Sequence, residues 1–379
     1  MNVTRLAFGA WNGGRFINFG EPLPEERWIQ LAQRSFLCGV RTFFTADVYG
    51  CGAADQLLGS ALAGFPRQDY CLVGAVGHDF YKGQRQGARG FPRFTDPSLR
   101  SPRDYPDYLR MATEKSLHRC RAGKFDLLLL HNPDSLGYSS DRVWSAMLSL
   151  VDDRLTDRIG IAPGPANGFT LDLILCLERF GEILDWALII LDFLEPWPGQ
   201  LVLPATVKHH VHLITRMGDY GGLFHDDVKA GHKLAPRDHR AFRPAGWVEA
   251  GKEKVDLFRP IAKKNNLTLL QLACLWNLSQ PPVHSVVPTL IQETGPDAKP
   301  IEDKVDELAL LPEISLSPEE CEFIARIGDN RGCLALKGAN RRHTTAPEAD
   351  RWGMSADLEA VAKRWGIDPD RDLTLKSSV

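Results

Sequence analysis

The sequence has no CxxC pair and no short Cys/His spacing. Its eight cysteines, at 38, 51, 71, 120, 176, 274, 321 and 333, are scattered. Cys176 in LILCLE and Cys274 in LACLW sit in apolar contexts, where cysteine behaves as a small core residue. This argues against a disulfide framework and for a reducing, cytoplasmic setting. No apolar run approaches the length of a bilayer span, and MNVTRLAFGA has no basic-then-apolar leader. A net charge of −3 gives no basic surplus for a nucleic acid or a membrane surface. Internal repeats, low-complexity tracts and a linker to a second domain are also missing. What remains is 379 residues at 44% hydrophobic composition, enough for one large core of the size α/β barrels reach. The expected partner is a small-molecule substrate; self-association into a homo-oligomer stays open.

Short apolar runs alternate with helical patterns about eight times. The strand-like runs are Leu6–Trp11, Val40–Phe44, Tyr70–Val76, FDLLLLH ending at His131, Asp157–Gly164, Trp186–Leu194, Val211–Arg216 and His284–Pro288. YCLVGAV shows no polar alternation, as expected for a strand buried on both faces. With no antiparallel hairpin signal, the pattern predicts a (β/α)8 TIM barrel over 1–328. Two long loops, His78 to about Pro106 and Gly218–Gly246, interrupt it. Ser317-Pro318 starts a late helix. A C-terminal extension over 329–379, with GCLALKGANRRH, Trp352 and a helix near Leu358–Trp365, is apolar enough to pack on the barrel.

The stretch GVRTFFTADVYGCGAADQLLG, Gly39 to Gly59, reads as strand, loop bearing a phenol, then helix. It resembles the aldo-keto reductase signature GxxxxDTAxxYGxGxSExxLG. SLHRCRAGKFDLLLLH, DRIGIA, TRMGDYGGLF and LTLLQLACLWNL resemble further motifs of that family, in the family's order. The resemblance implies a catalytic Tyr at Tyr49 and a catalytic His at His131. It also places Phe44 where the family has its Asp, and Ala75 where it has its Lys. That Asp and Lys lower the Tyr pKa from its ordinary value near ~10. The family's partners for the nicotinamide carboxamide fall on Ala162, Pro163 and Ile190, none of which can pair with an amide. After the eighth strand, Thr289 replaces a Gly, no basic residue follows closely, and an acidic insertion follows.

These losses lead to the expectation of no cofactor and of non-redox acid/base chemistry, dehydration, elimination or isomerisation, with Tyr49 and His131 as the acid/base pair. NADPH is the cofactor if the alternative holds, a divergent carbonyl reductase with relocated anchors such as Lys82 or His78. A non-catalytic binding subunit is the third reading. Trp11, Asn12, Phe44, His78, Asn132 and Arg216 are the expected substrate-binding residues. Asp192 or Glu195 would pair with Arg216 at the rim. His78 and Asp79 compete with a solvated loop for the space the Lys left. Arg85, Arg89 and Arg93 are a basic run, solvated or anion-binding. His225, Asp226, Asp227 and His232 match no trusted metal spacing, and no metal is expected.

Overall fold

Eight short runs become the parallel strands β1 (Ala7–Gly9), β2 (Thr42–Phe44), β3 (Cys71–Val76), β4 (Leu127–His131), β5 (Ile159–Ala162), β6 (Trp186–Ile190), β7 (His212–Arg216) and β8 (Val283–Val287). A computed structural model of the chain describes residues 3–86, 90–164, 170–216, 220–229, 231–243, 246–330 and 354–373. Arg89, Gly218, Trp352 and all of GCLALKGANRRH lie outside the described residues.

The strands pair in chain order, β1 to β8, and a parallel bridge from Leu6 to Val286 closes the ring. This is the expected (β/α)8 barrel. Strand side chains alternate between two faces. Phe43, Leu72, Leu128 and Leu130 point outward into the large core shared with the helices. Phe44, Ala75, Leu129, Ala162, Leu188 and Ile214 point inward and form a separate core inside the barrel.

The C-terminal extension packs on the barrel as expected. Helix Ala356–Trp365 lies on helix Thr170–Phe180, where Trp365 Nε1 donates to Glu178 at 2.9 Å and Arg364 pairs with the same carboxylate. Asn330 accepts from Trp197 N at 2.8 Å and donates to Trp197 O at 3.2 Å, and Asp372 O accepts from the Trp197 indole at 2.7 Å. The extension thereby fastens the loop that follows β6.

Gly328 ends helix Pro318–Gly328 against that loop. A Cβ there would sit 1.7 Å from the Phe193 carbonyl oxygen. Backbone on one side and helix on the other leave no room to yield. Gly328→Ala is expected to lower stability by about 1–3 kcal/mol, the usual range for overpacking, read from the urea midpoint.

Three features depart from the sequence reading. The acidic insertion contains a helix, Ile301–Ala309, whose Ile301, Val305 and Leu308 form a buried stripe at helical spacing. Helix Trp247–Lys264 begins well before Glu253. The loop after β3 holds an antiparallel bridge between His78 and Arg93. No helix among the described residues is long and apolar enough to cross a membrane.

Candidate active site

The inward face of each strand ends at the C-terminal mouth, where barrel chemistry is built. The two-residue period that buries Leu129, Leu188 and Ile214 carries His131, Ile190 and Arg216 to that mouth. Tyr49 arrives from the turn after β2 and packs against the inner core. Its ring stands edge-on to His131, with centroids 5.6 Å apart and planes at 88°. Tyr49 and His131, expected from the sequence as an acid/base pair, are thus neighbours.

Burial pushes the Tyr49 phenol up to about 12, and the Arg216 charge opposes that rise only in part. Burial also holds His131 well below its ordinary value, with His78, Arg216 and Arg93 acting in the same direction. Both groups are therefore neutral near pH 7, one a donor and the other an acceptor. His131 Nδ1 is buried without a hydrogen-bond partner.

His78 lies beside His131, with ring centroids 5.2 Å apart. Its Nε2 lies 3.2 Å from Asn132 Nδ2, and its Nδ1 lies 3.1 Å from both the Phe91 carbonyl oxygen and Arg93 Nη1. Burial and the adjacent Arg93 hold it down to about 3. Arg93 also donates to the Asn132 carbonyl, so the loop after β3 is tied to the end of β4. Asp79 pairs with Arg100 and does not enter the mouth, and Arg85 lies over Phe91.

Trp11 folds back over β1, where any side chain on Gly9 would strike its ring at 2.6 Å. It stands edge-on to Phe44 at 5.2 Å and to Tyr49 at 6.4 Å, and its indole donates to Thr289 Oγ1 at 3.2 Å. Trp11 and Phe44 therefore wall the mouth. Asn12 is placed differently. Its Oδ1 accepts from Leu290 N at 2.9 Å and its carbonyl accepts from the Trp28 indole, which makes it a buried strut.

The expected rim pair is corrected. Glu195 pairs with Arg243 at 2.9 Å, and Asp192 Oδ1 accepts from the Leu194 and Glu195 amides. Neither carboxylate is bonded to Arg216. Of the loop histidines and acids, His232 pairs with Glu293, Asp227 with Lys304 and Asp226 with Arg259. No cluster that could hold a metal ion occurs among the described residues.

NADPH, the cofactor the family resemblance implies, can be tested against these side chains. Phe44 and Ala75 lie in the apolar inner core and supply no charge to Tyr49. Ala162 is buried and its carbonyl already accepts from Asn132 N at 2.7 Å. The loop after β6 lies against Ile190, with Gly199 so close that a Cβ would come within 2.3 Å of the Ile190 carbonyl. Beyond β8, Glu293 takes the Arg240 guanidinium and His232. Lys304 is spent on Asp227 and the Ile291 carbonyl. Among the described residues, the side chains of Ala162, Pro163 and Ile190 offer a nicotinamide amide no partner, and Arg240 and Lys304, the cations near 289–294, are paired internally.

A parallel (β/α)8 barrel with a Tyr and a His facing each other at its C-terminal mouth defines the class. The aldo/keto reductase family model matches residues 5–294, and the chain belongs to that family. It is 25% identical over 284 residues to a probable aldo-keto reductase 1 of Glycine max, covering 73% of this chain and 74% of that protein. It is 24% identical to a probable voltage-gated potassium channel subunit beta of Arabidopsis thaliana, covering 78% and 85%. Among solved structures, the glycerol dehydrogenase of Gluconobacter oxydans matches with a TM-score of 0.67 at 21% identity, covering 90% and 94%. An aldo-keto reductase of Klebsiella pneumoniae in complex with NADPH matches at 0.55 and 18%, covering 86% and 91%. These structural likenesses establish the shared fold.

Proposed function

We propose that this chain is an enzyme performing acid/base chemistry without hydride transfer on a polar small molecule, by dehydration, elimination or isomerisation beside a carbonyl or hydroxyl. The observation that carries this reading is the Tyr49–His131 pair, 5.6 Å between centroids, beside an apolar Phe44 and Ala75. In a dehydration, His131 takes a proton from carbon while Tyr49 gives its proton to the departing hydroxide. C–H and C–O bonds break, a C=C bond forms and water leaves. The proton then returns from His131 to the Tyr49 phenolate through solvent. No electron acceptor is needed.

Each residue supplies general acid or base catalysis worth about 10²- to 10⁴-fold. His131→Gln and Tyr49→Phe are each expected to lower turnover by about that factor with unchanged thermal melts. The assay incubates the full chain with a panel of small hydroxy-carbonyl compounds in D2O without nicotinamide, following water loss and deuterium uptake by NMR. Turnover that requires NADPH and leaves its hydride in the product overturns the proposal. The pH profile follows from the same groups. His131 must be unprotonated, so kcat/KM falls only as pH drops below the ordinary histidine range. Tyr49 must keep its proton, so the alkaline fall waits until about 12.

The names of the reductase and dehydrogenase relatives support a second reading, an NADPH-dependent carbonyl reductase with relocated anchors. In it, Arg216 would supply the positive charge beside Tyr49. NADPH consumption with an aldehyde or ketone, abolished by Tyr49→Phe, establishes that reading.

A further inference from the structure

We propose that the substrate carries a carboxylate and that Arg216 binds it. This deepens the acid/base reading of the mouth and rests on it. Arg216 ends β7 on the inward face, partly buried, and among the described residues nothing hydrogen-bonds or ion-pairs with its guanidinium. Its Nε is enclosed without a partner.

Other buried arginines are treated differently. Arg100 has Asp79, Arg119 has Asp55, Arg240 has Asp238 and Glu293, and Arg243 has Glu195. Of the acids that follow the strands, Glu195 is committed to Arg243, Asp192 Oδ1 to the Leu194 and Glu195 amides, and Asp134 to Thr95 and the Gly137 amide, and none of them hydrogen-bonds Arg216. Arg93, the second cation at the mouth, donates to the Asn132 and Phe91 carbonyls and lies beside His78. The charges of Arg216 and Arg93 both act against protonation of His131. Among the described residues, therefore, the Arg216 guanidinium has no carboxylate partner at the mouth.

A guanidinium does not shed its proton, and its charge is costly in a setting walled by Trp11 and Phe44. An incoming anion removes that cost. The guanidinium fork matches a planar carboxylate, which takes two parallel N–H donors. One fork and the Tyr49 hydroxyl suffice for a single negative charge. A phosphate dianion would need further donors, and Arg93, the other cation at the mouth, is engaged with the Asn132 and Phe91 carbonyls. With the carboxylate on Arg216, the adjoining carbon is presented to Tyr49 and His131.

The test titrates the full chain with sodium acetate, sodium pyruvate, acetamide and inorganic phosphate, read by ligand-observed NMR. Acetate and pyruvate are expected to bind saturably, acetamide and phosphate far more weakly. Arg216→Gln should weaken the two carboxylates roughly 30-fold or more, the low end for removing one partner of a buried charge pair. Arg216→Lys, which keeps the charge and loses the fork, should fall between. Equal binding of acetate and acetamide, tighter binding of phosphate, or an Arg216→Gln variant that binds acetate as the wild type does overturns the proposal. Thermal melts confirm that the variants fold, and if Arg216→Gln does not, Arg216→Lys carries the comparison. NADPH is titrated into the same samples. Tight NADPH binding overturns the non-redox reading while leaving the carboxylate result to stand by itself.

Discussion

Titrated with NADPH, the full chain is expected to bind no more tightly than the millimolar range by calorimetry or fluorescence quenching. The losses add. A buried amide left without partners costs about 1–3 kcal/mol, and the three positions where the family supplies them are Ala162, Pro163 and Ile190. Three lost partners at the low end, about 1 kcal/mol each, together with about 1 kcal/mol for a lost phosphate contact, weaken binding about 1,000-fold. The Gly199 approach to Ile190 adds a steric barrier. After Thr289 no basic residue follows closely, and Glu293, held by Arg240 and His232, adds a carboxylate there. A dissociation constant in the low micromolar range would sink this reading.

The second large effect concerns the inner core. Phe44→Asp is expected to destabilise the protein by about 5 kcal/mol, read from urea unfolding. Truncating a buried Phe costs about 3–5 kcal/mol, and the new carboxyl would also be desolvated among Trp11, Ala46 and Ala75. Ala75→Lys alone buries an unpaired ammonium in the same place. The double variant, which restores the family's pair, should be less destabilised than the sum of the singles by about 1–3 kcal/mol. Strict additivity would mean that the two positions do not share a pocket. The test separates a core repacked as a unit from two unrelated substitutions.

The barrel was legible in the sequence because its determinants are local. Runs such as LLLLH and CLVGAV are short, doubly buried and separated by helical patterns, so strand order follows chain order. Tyr49, His131 and the inner placement of Phe44 were legible through the family signature and the two-residue strand period. The pairing of charges was not. Which acid meets which arginine is decided by distant loops: Glu195 is taken by Arg243, 48 residues away, and no acid among the described residues pairs with Arg216. Arg93 reaches the Asn132 carbonyl across 39 residues, and nothing in a Gly-rich basic loop announces that contact. Asn12, read as a mouth residue, is drawn under by the Leu290 amide. Helix Ile301–Ala309 was hidden by its acidic surface, although Ile301, Val305 and Leu308 carry the spacing.

The fastening of the loop after β6 also sets an order of events on the ribosome. Trp197 is bracketed by Asn330 and capped by Asp372, and Glu178 receives Arg364 and Trp365. All four late residues emerge after β8, when every barrel strand has been made. Domains assemble as the chain is synthesised, so the nascent barrel can close before this clasp arrives. For that interval the segment facing Ile190 is held only by the barrel itself. A newly made molecule therefore passes through a state with a looser cleft beside β6 than the finished protein has.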